Sequence, residues 1–325
     1  MSVIEARGLR RTYRATTGVF RRRTIDVEAV RGVDFDVAEG ELFGLLGPNG
    51  AGKTTTIKML ITLLIPTAGS ARVLGFDVVA DAREVRKRIG YVFGGDRGLY
   101  ERLSALDNLR YFAELYGVPA RQQKQRIGEL VELVGLAGRE RERVEGYSRG
   151  MRQRLHIARG LLHDPAVLFL DEPTIGVDPV GARELRTTIA SLSEAGKTVL
   201  MTTHYMFEAD ALCDRIAIIA RGKIVAHGTP GDLKAAVADK TVIEIEAFGA
   251  SEQAIERVRA VPGVESVSVE ERDQAQVLLV QSPHAAGLTA ELVARLDGAE
   301  VGRVVAREPT LEDAYVALVT EAERA

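Results

Sequence analysis

Nine consecutive residues, GPNGAGKTT from Gly47 to Thr55, constrain this chain more than any other segment. They fit GxxxxGK[ST], in which Gly47, Gly50 and Gly52 let backbone N–H groups close around phosphate oxygens where a Cβ would obstruct the approach. Pro48, Asn49 and Ala51 fill the variable positions of the loop. Lys53 reaches the β- and γ-phosphates, the Thr54 hydroxyl can ligate magnesium, and Thr55 carries the chain into a helix whose positive end faces the phosphates. The preceding ELFGLL reads as a buried strand and the following TTIKMLITLL as a helix. A glycine-rich turn between two core elements is the alternative, and the strand, loop, helix order favours the phosphate loop.

A second carboxylate site lies in AVLFLDEPT, Ala166 to Thr174, an apolar strand that ends in two acids. Asp171 completes a magnesium shell through water, and Glu172, past the end of the pleat, can polarise the water that attacks the γ-phosphoryl group. An acidic pair opening a surface loop is the bland alternative.

With YSRGMRQRL, Tyr147 to Leu155, standing shortly before that strand, the chain resembles the nucleotide-binding subunit of an ATP-binding cassette (ABC) transporter. The resemblance implies a head-to-tail homodimer in which Ser148 and the backbone at Gly150 face the γ-phosphate held by the opposite subunit, a helix N-terminus used as an anion site. It also implies that Tyr13 stacks on adenine, that Asp178 in GVDP crosses the dimer interface, and that His204 after TVLMTT senses the γ-phosphate. For Tyr13 the other reading is an aromatic ring closing a small hydrophobic patch; for Ser148 it is an ordinary helix cap. The chain departs from the family twice. Gly94 and Gly95 stand where a magnesium-touching glutamine is expected, with Asp96 a candidate replacement, and Arg149 stands where the signature has glycine.

At 325 residues with an apolar fraction of 46%, the chain is long enough for one large core and a smaller one. A net charge of −3 argues against a dedicated nucleic-acid binder. No run approaches the roughly twenty apolar residues that span a bilayer, and MSVIEARGL has no secretory apolar region, so the expected place is the cytosol. Cys213 is the single cysteine and reads as a small buried hydrophobe. Arg21, Arg22 and Arg23 read as a solvated loop tip, with contact to anionic lipid as the alternative.

VRGVDFDV alternates like a half-buried strand, and helical patterns dominate from about Asp81 to Asp164. Leu103, Leu109, Tyr111 and Phe112 in that stretch include candidates for a groove that receives a membrane partner's helix, as the resemblance implies; ordinary core is the competing reading. Composition changes near Ala236. From there to the carboxyl terminus the pattern reads βαββαβ, and the closing PTLEDAYVALV resembles the end of drug-export ATPase subunits of the daunorubicin-resistance type.

The expected fold is therefore an α/β P-loop ABC ATPase over residues 1–236, with a mixed core sheet, an antiparallel N-terminal sheet and a helical subdomain, followed by a small α+β ferredoxin-like domain over 237–325 for dimerisation or regulation. The expected function is hydrolysis of ATP with Mg2+ at a homodimer interface, coupled to export through a separate transmembrane permease on the inner face of the cell membrane. The rivals are a soluble ABC ATPase acting on nucleic acid or ribosomes, which usually has two cassettes or a long coiled coil, and a GTP switch, which needs an Asn-Lys-x-Asp sequence that is missing here.

Overall fold

The computed structural model describes residues 1–17, 23–94, 98–237, 241–272, 275–283 and 287–324, and the chain divides into two compact units, Met1–Pro230 and Gly231–Ala325. Arg21, Arg22, Gly95 and Asp96 lie outside the described residues.

The first unit opens with two long antiparallel strands, β1 (Ser2–Thr17) and β2 (Arg23–Ala38). Next come β3 (Leu42–Leu46), α1 (Lys53–Leu60), β4 (Ala68–Val73), β5 (Phe76–Asp77), α2 (Ala82–Arg88) and β6 (Ile89–Phe93). Three helices follow, α3 (Ala105–Leu115), α4 (Ala120–Leu133) and α5 (Arg149–Leu161), and pack on one another. The unit finishes with β7 (Val167–Asp171), α6 (Pro179–Glu194), β8 (Thr198–Thr203), α7 (Met206–Leu212), β9 (Arg215–Ala220) and β10 (Lys223–Gly228).

Strands β3, β7 and β8 are buried at every position, which is why their sequences are mostly apolar on both faces and do not alternate with charged residues. They lie in a six-stranded sheet of order β10-β9-β3-β8-β7-β6, parallel except for the β9–β10 pair. A separate antiparallel sheet has the order β2-β1-β4-β5. The mixed core sheet, the antiparallel N-terminal sheet and the helical portion are those expected. Cys213 is buried and desolvation pushes its thiol up, so it behaves as a core side chain. Of the four groove candidates, Leu109 is fully buried core, whereas Leu103 and Tyr111 are exposed.

Helix α5 carries a buried histidine. His156 is 1% exposed, and neither ring nitrogen has a hydrogen-bond partner among the described residues. Burial first, and the Arg159 charge second, push its pKa from the ordinary 6.5 down to about 3. The folded chain therefore keeps this ring neutral while the unfolded chain protonates it, so stability is lost as pH falls from about 6.5 towards about 3. We expect the first unit to lose up to about 1.4 kcal/mol per pH unit across that window. His156→Leu should flatten the dependence in urea unfolding measured from neutral to mildly acid pH; an unchanged slope would assign the acid sensitivity elsewhere.

Helix α8 (Pro230–Ala235) begins at the division, so contacts place the break a few residues before the compositional change near Ala236. The second unit continues with β11 (Thr241–Phe248), α9 (Glu252–Arg259), β12 (Ser266–Arg272), β13 (Ala275–Ser282), α10 (Leu288–Arg295), β14 (Glu300–Arg307) and α11 (Leu311–Arg324). Its sheet order, β12-β13-β11-β14 with every pair antiparallel, is the ferredoxin-like βαββαβ order. Alternation along β11 and β13 puts Ile243, Ile245, Leu278 and Val280 in one core with Ala254, Val258, Leu288 and Leu292 of α9 and α10.

The closing PTLED segment has a structural use here. The N–H and hydroxyl of Thr310 both donate to Asp313 Oδ2 at 2.7 Å, a reciprocal cap at the start of α11. Arg307 donates to the same carboxylate at 2.6 and 3.2 Å and also to Glu244 on β11 at 3.3 Å. Burial opposes ionisation of Asp313, but Arg307 and Thr310 overcome it and hold the carboxyl below its ordinary range.

Candidate functional site

Parallel strands deliver their C-terminal ends to one edge of a sheet, where open α/β proteins bind ligands. Here the register pairs Leu46 with Thr203, Asp171 with Thr202, and Phe93 with Asp171, so the loops after β3, β8, β7 and β6 emerge side by side.

The Gly47–Thr54 loop is held by protein backbone on both sides. A Cβ at Gly47 would stand 2.2 Å from the Ile219 carbonyl of β9, and one at Gly52, whose φ is +109°, would stand 2.5 Å from the Ala29 carbonyl of β2. Neither position tolerates a side chain whether or not phosphate is near. Gly50 has open space around it, and there the positive φ of +81° is what requires glycine. Inside the loop the Ala51 N–H donates to the Pro48 carbonyl at 3.2 Å, while Pro48 and Asn49 are exposed. Thr55 is half-buried in the first turn of α1.

Lys53 is only 4% exposed, and its Nζ donates to the carbonyls of Gly47 at 2.6 Å and Pro48 at 3.1 Å. It also pairs with Glu172 at 3.2 Å. On its other oxygen Glu172 meets His204 Nδ1 at 3.3 Å, a close approach that lacks hydrogen-bond alignment. The Thr54 hydroxyl donates to Asp171 Oδ1 at 3.1 Å. Lys53, Glu172 and His204 form one set and Thr54 and Asp171 another, joined through the side chain of Thr202.

The sequence reading missed Thr202. Its hydroxyl donates to Asp171 Oδ1 at 2.6 Å and accepts the Glu172 N–H at 3.0 Å, so one side chain orients both acids. The available signal was a threonine pair ending an apolar strand just before His204. Thr203 is used as well: its hydroxyl donates at 3.0 Å to Glu208, which is buried, and Arg186 donates to Glu208 at 3.3 Å. Those bonds fix the turn that carries His204. Glu172 itself has φ of +49°, a left-handed conformation uncommon for a side-chain-bearing residue and costing of order 1–3 kcal/mol.

A second cluster forms at the starts of α5 and α6. Ser148 caps α5 by accepting the Met151 N–H at 3.2 Å. Asp178 caps α6 by accepting from Val180 at 3.1 Å and Gly181 at 2.9 Å. A Cβ on Gly150 would meet Val177 at 3.2 Å, so the two helix starts abut, and Arg149 reaches the Gly176 carbonyl at 3.4 Å. Ser148 and Asp178 are exposed, and among the described residues no hydrogen bond joins Ser148, Gly150 or Asp178 to the phosphate loop. Tyr13 lies on β1 opposite Val27, two residues from Ala29, with the Arg11 guanidinium 4.9 Å above its ring.

Comparison with known proteins gives matches over most of the chain. Residues 30–175 match the ABC transporter family. The chain is 39% identical over 311 residues to the daunorubicin resistance ATP-binding protein DrrA3 of Streptomyces coeruleorubidus, covering 93% of this chain and 95% of that protein. It is 38% identical over 242 residues to the linearmycin resistance ATP-binding protein LnrL of Bacillus subtilis, covering 74% and 78%. In fold it is similar to the dimeric, post-hydrolysis ATP-binding cassette MJ0796 bound to ADP and Pi, with a TM-score of 0.60, 23% identity, and coverage of 70% of this chain and 98% of that one.

Proposed function

Because the chain belongs to the ABC transporter family as an ATP-binding, ATP-hydrolysing subunit, we propose that two copies close head to tail over two ATP molecules and drive export through a separate membrane permease. The observation that carries this reading is the connected group of Lys53, Glu172 and His204 beside Thr54 and Asp171, with the capped Ser148 helix start standing exposed elsewhere. In this reading each copy holds one side of a triphosphate and the helix start of a second copy supplies donors to the other. That the similar cassette MJ0796 is dimeric and binds ADP and Pi supports a two-copy, nucleotide-binding assembly.

Within this reading Tyr13 stacks on adenine, and Gly47, Pro48, Asn49, Gly50, Ala51, Gly52, Lys53, Thr54 and Thr55 hold the phosphates. Thr54 and Asp171 offer hard oxygen ligands of the type that suits Mg2+, and among the described residues no three His, Cys, Asp or Glu side chains gather as an all-protein cage. An ion that keeps waters and substrate oxygens in its shell fits that donor set, and when bound it neutralises charge on the β- and γ-phosphates.

Glu172 accepts a hydrogen bond from the attacking water and aims its oxygen at the γ-phosphorus. The new P–O bond forms as the bond to the ADP oxygen breaks; the water's proton passes to Glu172, the electron pair of the broken bond stays on the ADP oxygen, and ADP and inorganic phosphate leave. Lys53 balances the departing charge, His204 steadies the γ-phosphate, and Ser148, Gly150 and Asp178 complete the site in trans. The resistance names of the two relatives support export as the direction. The chain then sits on the inner face of the membrane through the permease; among the described residues no helix is long and apolar enough to cross it.

A dimer-completed site makes ATPase activity rise more steeply than linearly with protein concentration. A dilution series of the purified chain checks this, and strict proportionality down to the monomer would contradict it. Stimulation on co-purification with a membrane partner tests the permease half of the reading, and stimulation by nucleic acid instead would contradict it.

A further inference from the structure

Three consecutive residues of β1 are fastened to the segment that follows α1. The Arg10 carbonyl accepts the Thr67 N–H at 2.8 Å, the Thr12 N–H donates to the Thr67 hydroxyl at 3.1 Å, and between them the Arg11 guanidinium donates to the Ile65 carbonyl at 2.8 Å. That last bond spans 54 positions of sequence, so the Arg11 side chain is under tertiary restraint, and its Nε is shielded from solvent. Helix α1 begins at Lys53, and its end closes on the Lys58 carbonyl, which accepts the Leu63 and Leu64 N–H groups at 2.9 and 3.0 Å. One helix and its closing turn therefore connect the phosphate loop to the anchor of Arg11.

Held in this way, the Arg11 guanidinium carbon lies over the Tyr13 ring, 4.9 Å from its centroid. A cation there is attracted by the electron density of the ring face, and the planar guanidinium also stacks. Tyr13 is half-buried, and its cross-strand neighbour Val27 is 48% exposed, so core packing contributes little to fixing the ring. Arg11 supplies that restraint, and it takes one of the two ring faces.

We propose that Arg11 is a positioning residue for the nucleotide base: tied to Ile65, it backs one face of Tyr13 and holds the opposite face ready for adenine. A ring already held in place loses less rotamer freedom when the base stacks on it, which raises affinity without touching the reacting atoms. This assignment rests on the reading of Tyr13 as the adenine platform.

The test uses the full chain, with ATP and EDTA for affinity, ATP and magnesium for turnover, and inorganic tripolyphosphate as a probe that has phosphates and no base. Arg11→Leu should weaken ATP binding about two- to fivefold, the range that one exposed cation–ring contact supports. Tripolyphosphate affinity and kcat at saturating ATP should stay at parental values, because the change is confined to base binding. Arg11→Gln, which keeps a hydrogen-bond donor for the Ile65 carbonyl and removes the charge, should show the same loss. On a Tyr13→Leu background Arg11→Leu should have no further effect, as expected for two changes acting through one ring. Parental or tighter ATP binding in either Arg11 variant, an equal loss for tripolyphosphate, a fall in saturating kcat, or an additive loss on Tyr13→Leu would each overturn the proposal. If Tyr13→Leu alone binds ATP as tightly as the parent, the reading of Tyr13 fails instead, so the two failures are distinguishable.

Discussion

Glu172→Gln is expected to lower ATP turnover by about 10²–10⁴-fold, the span associated with losing a positioned general base, while ATP binding is retained. The amide has the carboxylate's size and can still approach Lys53 and His204, which lie 3.2 and 3.3 Å away, so the local packing survives. What disappears is the charge that polarises water. The affinity should hold or increase. Lys53 keeps its bonds to the Gly47 and Pro48 carbonyls, and a neutral neighbour no longer repels the γ-phosphate. The variant should therefore accumulate as an ATP-loaded dimer, visible by size-exclusion chromatography. Turnover at the parental rate would remove Glu172 from the chemistry.

The second large effect is expected at Thr202. Thr202→Val keeps the branched shape but deletes a hydroxyl that donates to Asp171 at 2.6 Å and receives the Glu172 N–H at 3.0 Å. Hydrogen bonds to a charged partner contribute about 1.5–3 kcal/mol, which corresponds to roughly 10–150-fold. Asp171 is buried, so water does not readily replace the lost donor. The expected result is a higher magnesium requirement together with reduced kcat, read by titrating magnesium in the ATPase assay. Thr202→Ser should recover most of both. An unchanged magnesium profile in Thr202→Val would mean that Thr54 alone orients the acid.

Much of this architecture was legible because its determinants are contiguous. The phosphate loop and the acidic strand end each declare themselves within one short segment, the βαββαβ tail in the order of its elements, and the mostly apolar, non-alternating β3, β7 and β8 report burial on both faces. Thr202 was not legible in the same way. Its meaning comes from standing beside Asp171 in a parallel ladder, a pairing between segments thirty-one residues apart. The left-handed backbone of Glu172 had no local signal either, since nothing in LDEPT asks for positive φ. Helical spacing placed Leu109 among residues with different exposures because periodicity gives a face without saying what covers it. The reciprocal cap between Thr310 and Asp313 was present in the letters of the closing motif, but the Arg307 and Glu244 partners became visible only in the folded sheet.

The two glycines pressed against carbonyls of β2 and β9 carry a consequence for the amino-terminal hairpin. A loop wedged between two walls takes its curvature from the walls. Slack introduced into the amino-terminal hairpin, even by a change on its outer surface, would travel through Ala29 to the curve of the loop and blunt the grip on fuel. That hairpin is thus a brace as much as a covering, and its rigidity is a property on which selection for catalysis can act.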